Sequence, residues 1–238
     1  MPSFRARGAL TPGEVTVLPD EEAKHAERVL RLRPGDEICL LDGLGGRYAG
    51  VMEAGGAARV GEALPSNECA ARVTLYQGIP KADKLETVTQ KLTELGAAGV
   101  VPVKMSRCVA KLDARDGKKK QERLEKIAWE AVKQCRRALP PVISEPITMR
   151  ELLARKHELM LVPWEDAKGL TLKKVHEETP DARDIAIVIG PEGGMSAEEV
   201  GLLAEAGARV VTLGPRILRT ETAAVASVTM AMTLWGDL

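Results

Sequence analysis

Apolar residues along this chain change their spacing near residue 70. Before it they come in short pieces, EVTVL (14–18), DEICLLDG (36–43), GRYAGVMEAG (46–55) and AARVGEAL (57–64), parted by turn signals at Pro34-Gly35-Asp36 and Asp42-Gly43. One helix interrupts them, with Asp20 expected as its N-cap and Ala23, Ala26, Val29 and Leu30 as its apolar face. The pattern predicts a small β-barrel or sandwich over residues 1–70. LPSNECAAR (64–72) has the composition of a linker.

From Arg72 onward, strand-like and helix-like segments alternate. RVTLYQGIP (72–80), GVVPVKM (99–105), ELMLVP (158–163), DIAIVIG (184–190) and ARVVTLG (208–214) read as strands. Between them, KADKLETVTQKLTELG (81–96) places Leu85, Val88, Leu92 and Leu95 on one helical face, and Gly96 ends it. A basic helix is expected over 118–137, with Leu124, Ile127, Ala128, Ala131 and Cys135 at three- and four-residue steps. LTLKKVHEE, SAEEVGLLAEAG and RTETAAVASVTMAMTLWGD complete the helices. Strands that are continuous apolar runs belong to a parallel sheet covered on both faces, so residues 71–238 are expected to form an α/β domain.

Composition narrows the chemistry. Net charge is zero, yet the stretch from Lys104 to Arg137 holds twelve Lys/Arg against five Asp/Glu, a concentration that suggests a polyanionic partner. Cys39, Cys69, Cys108 and Cys135 are far apart and the chain has three His, so no metal site is expected and reduced thiols in a cytoplasmic protein are. No apolar run reaches the roughly 18 residues of a membrane span, and MPSFRARGALTPG does not read as a secretory signal.

Open parallel sheets bind ligands past the carboxyl ends of their strands. Three such ends stand out: LVPWEDA (161–167), IGPEGGMS (189–196) and LGPRILRTETA (213–223). Gly190 before Pro191 is biased to extended geometry, while Gly193 and Gly194 allow positive φ and a close approach to the main chain. Ser196 with Glu199 is a capping box, and an ordinary strand-to-helix turn also accounts for this spacing. The turn fits neither the dinucleotide fingerprint nor the phosphate-binding loop and carries no Lys, which excludes NAD and ATP. In the third loop the apolar pair Ile217 and Leu218 suits the faces of a flat ring such as adenine, with Thr220 as a plausible N-cap of the last helix.

GPEGG followed by Ser196 and Glu199, together with LG-x-RILRTETA, resembles the signature of the SPOUT-class RNA methyltransferases. More narrowly, it resembles the 16S ribosomal RNA uridine-N3 methyltransferase family, ribosomal RNA small subunit methyltransferase E. HAERVLRLRPGDEICLLDGLGGRY (25–48), KLETVTQKLTELGAAGVVPVKMSR (84–107) and WEAVKQCRRALPP (129–141) extend the resemblance across nearly the whole chain. Met195 departs from it where the family tends to place Phe, and Lys133 where an acidic residue usually precedes Gln134.

The resemblance implies a PUA-like RNA-binding β-barrel at 1–70 and a SPOUT methyltransferase domain at 71–238, its parallel sheet closed by a deep trefoil knot. It implies S-adenosyl-L-methionine held by Leu161, Val162 and Pro163, by Gly190, Pro191, Glu192, Gly193 and Gly194, and by Leu213, Gly214, Ile217 and Leu218. It also implies a homodimer acting on 16S ribosomal RNA of the small ribosomal subunit. Arg219 or Arg137 would stabilise charge on the uracil oxygens, and Glu221 is the candidate proton acceptor. Arg5, Arg7, His25, Arg31 and Arg33, with the basic patch from Arg107 to Lys120, would contact RNA. At 3% aromatic residues the chain has too few rings for a stacking platform such as an RRM, so phosphate and shape contacts are expected to dominate. Methylation of a ribose 2′-hydroxyl or of transfer RNA, and a non-catalytic RNA-binding assembly factor, remain open alternatives.

Overall fold

The computed structural model describes residues 1–109 and 114–238. Two compact units are seen: Met1–Glu68 with Trp129–Pro140, and Cys69–Ala128 with Pro141–Leu238. Residues 129–140 thus belong with the first unit, an addition to the 1–70 division read from composition.

In the first unit, β1 (Ser3–Arg5), β2 (Val15–Val17), β3 (Glu37–Leu41), β4 (Arg47–Met52) and β5 (Ala57–Leu64) form one sheet in the order β1-β3-β4-β5-β2. β1 runs parallel to β3, and the other pairs are antiparallel. Phe4, Ile38, Leu40, Met52, Ala58 and Val60 fill its core. β1 has only three residues, too few to show a period, and was not anticipated.

The first helix departs from expectation. α1 (Asp20–Lys24) takes Pro19, not Asp20, as N-cap and has no side-chain capping bond. It continues as a π-helical turn over His25–Val29. Only Ala26 of the expected apolar face is fully buried, while Val29 and Leu30 are exposed. The wider turn adds a residue per cycle and carries these two off the core-facing stripe. Leu32 packs on the core in their place.

In the second unit the apolar runs become β6 (Arg72–Gly78), β7 (Gly99–Lys104), β8 (Val142–Ile143), β9 (Ile147–Thr148), β10 (Leu159–Pro163), β11 (Asp184–Ile189) and β12 (Arg209–Val211). Their order is β12-β10-β11-β6-β7-β8, with β9 also on β7, and every pairing is parallel. The helices of this unit are α2 (Lys84–Glu94), α4 (Met149–Leu153), α5 (Leu172–Glu178), α6 (Ala197–Glu205) and α7 (Thr220–Trp235), with α3 (Ala114–Cys135) belonging to it only as far as Ala128. Leu85, Val88 and Leu92 of α2 and Ala224, Val228 and Ala231 of α7 are buried in the same core as Leu75, Leu161 and Ile187 of the strands. At about 1.5–3 kcal/mol for each large apolar side chain removed from water, this layer anchors the strand ends. The short β8, β9 and α4 escape a periodicity reading, although α4 opens on a Thr148–Glu151 capping box.

Among the described residues no helix is long and apolar enough to cross a membrane, and no cluster of His, Cys, Asp and Glu is arranged to hold a metal ion. The four cysteines are free thiols.

Candidate active site

β12, β10 and β11 are adjacent, so the loops leaving their carboxyl ends meet. They enclose a cavity of about 490 Å³ lined by Pro163 and Glu165, by Gly190 to Met195, by Ile217 to Thr220, and by Lys84 and Ala223. A smaller neighbouring hollow of about 80 Å³ shares Pro163, Glu165, Ile217 and Leu218 and adds Trp164 and the chain from Thr212 to Arg216. Of the expected cofactor residues, Pro163, Gly190, Pro191, Glu192, Gly193, Gly194, Leu213, Gly214, Ile217 and Leu218 line these spaces. Leu161 and Val162 do not; both are wholly buried inside β10.

The glycines of the second loop serve the chain's approach to itself. A Cβ on Gly190 would lie 2.8 Å from both the Gly194 carbonyl carbon and the Met195 nitrogen. Gly194 has φ +70°, whereas Gly193 does not take positive φ and instead abuts Arg107, whose Cβ lies 3.1 Å from where a Gly193 Cβ would stand. Ser196 and Glu199 form the expected capping box at the start of α6.

Three contacts that no local pattern announces hold this loop. Gln77, wholly buried at the end of β6, donates from Nε2 to the Gly190 carbonyl at 3.1 Å and to Thr220 Oγ1 at 2.8 Å. Thr220 in turn donates to the Gly190 carbonyl at 2.6 Å. Thr220 is therefore not the N-cap: Arg219 occupies that position with no side-chain bond, because the Thr220 hydroxyl is committed across the loop. Arg107, an expected RNA contact, is exposed and also donates to the Gly193 carbonyl at 2.9 Å, bracing the turn. Glu199 accepts from the Ser106 and Ser196 amides at 2.7 and 2.9 Å. Burial would raise its carboxyl, but these hydrogen bonds bring it below the usual range.

Lys84, at the start of α2, lies 3.1 Å from Glu192 Oε1 and 3.1 Å from Glu221 Oε2, joining the second loop to α7. Glu192 also accepts from the Lys81 amide at 3.0 Å. Burial works to raise the Glu192 carboxyl, yet the backbone amides and the Lys84 ammonium hold it below the ordinary value. Glu221 is lowered first by its own backbone amide, then by Lys84. Lys84 is raised by the two carboxylates. Arg219 is exposed and lines the cavity, with no salt bridge among the described residues.

Apart from the basic patch, which belongs to the second unit, the remaining candidates lie in the first unit. Arg137 is buried there and donates to Glu68 Oε2 from Nε at 3.1 Å and from a terminal nitrogen at 2.7 Å; it does not line the cavity. Glu68, within the stretch of linker composition, also accepts from the Ala138 and Leu139 amides. Arg5, Arg7, His25, Arg31 and Arg33 are all exposed. The basic patch from Arg107 to Lys120 is seen except for residues 110–113, which lie outside the described residues. Lys120 of that patch, and Arg123 beyond it, are partly neutralised by Glu86.

Residues 67–232 match a family profile described as an RNA methyltransferase domain, and residues 18–57 one described as an RNA methyltransferase PUA domain. The ribosomal RNA small subunit methyltransferase E of Bacillus subtilis is 36% identical over 85% of this chain and 84% of its own. That of Mycobacterium bovis is 33% identical over 89% and 84%. Among solved structures, the enzyme of that name from Neisseria gonorrhoeae, bound to S-adenosyl methionine, superposes with a TM-score of 0.90 at 32% identity over 100% of this chain and 99% of its own. A putative methyltransferase from Legionella pneumophila, in complex with the cofactor SAM, gives 0.90 at 30% identity over 99% and 98%. The cavity at three parallel strand ends thus sits in a chain that belongs to the ribosomal RNA small subunit methyltransferase E family of RNA methyltransferases.

Proposed function

We propose that this protein methylates small-subunit ribosomal RNA with S-adenosylmethionine, and that the atom modified is N3 of a uridine in 16S RNA. The observation that carries the reading is the convergence of the three strand-end loops on one cavity of about 490 Å³, within the range of small-molecule sites. The residues present fit the cofactor. Lys84, the one lysine of the lining, is already engaged by two carboxylates, so the cavity presents no loose ammonium to a cationic sulfonium. Ile217 and Leu218 offer apolar faces, and Pro163, Gly190 to Gly194, Leu213 and Gly214 offer main chain. When bound, S-adenosylmethionine supplies an electrophilic methyl group carried on positively charged sulfur.

The chain's own residues do the rest. Loop walls fix the approach of the base and exclude water. Arg219, at the start of α7 and on the cavity wall, would stabilise negative charge on the uracil oxygens as N3 gives up its proton. Glu221, held low by its backbone amide and Lys84, is a weak base, and its better role is to hold Lys84 in place. Arg137 is spent on Glu68, so Arg219 is the stronger choice.

Action as a homodimer in the cytoplasm, and a deep trefoil knot threaded by the last segments of the chain, belong to the same reading. They are supported by the family membership. The decisive experiment methylates 30S particles from a strain lacking the enzyme and identifies the product by nucleoside mass spectrometry. 3-Methyluridine is expected. A 2′-O-methylated nucleoside, or failure to bind S-adenosylmethionine in calorimetry, overturns the reading.

A further inference from the structure

A second cavity, of about 710 Å³, lies wholly within the first unit between β1, the start of α1, the turn at Asp42–Leu44 and Trp129. We infer that it is a base-reading pocket that takes one unstacked guanine of the RNA. The inference rests on the chain being an RNA methyltransferase and deepens that reading.

The first observation is a preset stacking surface. The Arg5 guanidinium carbon lies 4.4 Å from the centroid of the Trp129 ring, so the cation sits over the indole at the cavity wall while Arg5 remains exposed. A guanidinium plane backed by an indole is a surface on which a base stacks. The indole is in turn fitted to the neighbouring turn. Gly43 has φ +72°, and a Cβ there would stand 3.2 Å from Trp129 Cη2, so the chain gives up a side chain to let the ring lie against it. Leu44, next along, is 70% exposed and lines the same cavity. It gives the rim an apolar contact for a ribose or base face.

The second observation is the charge set. Arg5 and Arg7 share the lining with Asp20, Glu21, Glu22 and Asp42. A bare phosphate entering this space meets more carboxylates than cations, so backbone charge alone is not what it selects. Two of the acids are already used: Glu22 accepts from Lys133 at 2.9 Å, and Asp42 Oδ1 accepts from the Leu44 and Gly46 amides at 2.7 and 2.8 Å. Asp20 and Glu21 are exposed, and among the described residues their carboxylates form no hydrogen bond or salt bridge. Carboxylates are acceptors only, so they select a base edge with adjacent donors. Guanine offers N1–H beside its N2 amino group. Adenine and cytosine each pair one amino group with a ring acceptor that a carboxylate repels, and uracil has a single donor between two carbonyls. Arg7, exposed on the same lining, would take the flanking phosphate.

The test measures binding of fluorescein-labelled single-stranded RNA octamers to the full-length protein by anisotropy. The oligomers differ only in a central guanosine, inosine or adenosine. Guanosine is expected to bind about tenfold more tightly than adenosine, the size of one bidentate base contact, with inosine, which lacks the N2 amino group, between them. Trp129→Phe should retain the preference and Trp129→Ala lose it. Should Trp129→Ala fail to fold, the surface double variant Asp20→Asn/Glu21→Gln carries the test, and it should bring guanosine and adenosine within twofold. No guanosine preference in the wild type, or a preference unchanged in the double variant, overturns the pocket. So does displacement of the RNA from this cavity by a lysine-rich peptide with no dependence on the base. Methylation of 30S particles is followed in the same preparations. Methylation intact without a guanine preference sinks the pocket alone, whereas loss of methylation in the wild type tells against the enzymatic reading.

Discussion

The buried Gln77 amide and the Thr220 hydroxyl meet at 2.8 Å, and both donate to the same acceptor, the Gly190 carbonyl. Three segments far apart in sequence are thereby fixed at one point: the end of β6, the turn after β11 and the first residue of α7. Thr220→Val keeps the shape and removes the hydroxyl. We expect a loss of about 1–2 kcal/mol in stability and S-adenosylmethionine binding roughly tenfold weaker, read by denaturant titration and calorimetry. Unchanged affinity would show that the loop holds its shape without this bond.

Two glycines should respond differently to alanine. Gly190→Ala places a methyl 2.8 Å from main-chain atoms of Gly194 and Met195, which cannot move without opening the turn. Cofactor binding should be abolished. Gly214 has φ +108° but open space around its missing Cβ, so Gly214→Ala carries backbone strain alone, about 1–2 kcal/mol. Calorimetric titration of both variants ranks the two effects.

Arg219→Ala should lower kcat about 100-fold or more with little change in cofactor affinity, as for loss of a group that acts on charge developing in the transition state. Collapse of cofactor binding with turnover preserved at saturation would make Arg219 a cofactor contact instead.

The Lys84 brace sets a pH window. Glu192 and Glu221 are lowered from 4.5 in the folded protein, so their contribution is present above that value and lost as pH falls through their depressed values. Lys84 is raised from 10.5, so its contribution is present below that value and lost as pH rises through the raised one. Cofactor affinity should be flat between these limits. In Lys84→Met the carboxylates lose their cation and titrate closer to the ordinary value, so the acid limb of the affinity profile should move to higher pH. An acid limb that stays in place would show that Lys84 does not couple the two carboxylates.

Glu68→Ala removes the carboxylate that the buried Arg137 guanidinium and the Ala138 and Leu139 amides share. A loss of about 3 kcal/mol is expected, the scale of breaking a buried ion pair from one side. Chemical denaturation measures it, and a change below about 1 kcal/mol would mean that water replaces the carboxylate.

The alternating half of the chain was legible because parallel strands buried on both faces are written as unbroken apolar runs; β6, β7, β10 and β11 lie where RVTLYQGIP, GVVPVKM, ELMLVP and DIAIVIG place them. The turn glycines and the Ser196–Glu199 box carry local signals, so they too could be read. What escaped lacks a period or a neighbour in sequence. β1, β8 and β9 have two or three residues each, and the π turn displaces Val29 and Leu30 without leaving a mark in composition. Gln77 meets Gly190 from 113 positions away and Thr220 from 143. Its one local trace is a polar amide at the end of an apolar strand, just before Gly78. Lys84 and Arg107 read as surface charges, because their partners sit on loops that only the fold brings near.

The allotment of residues 129–140 to the first unit has a practical consequence for anyone dissecting the chain. A fragment cut at residue 70 would keep Cys39 and Leu41 but discard Val132, which packs on them, and would strip Glu68 of its guanidinium. It would also lose the indole that backs Arg5. The amino-terminal module is thus not a detachable bead on a string: grafting it onto another enzyme means carrying along a second, distant length of sequence.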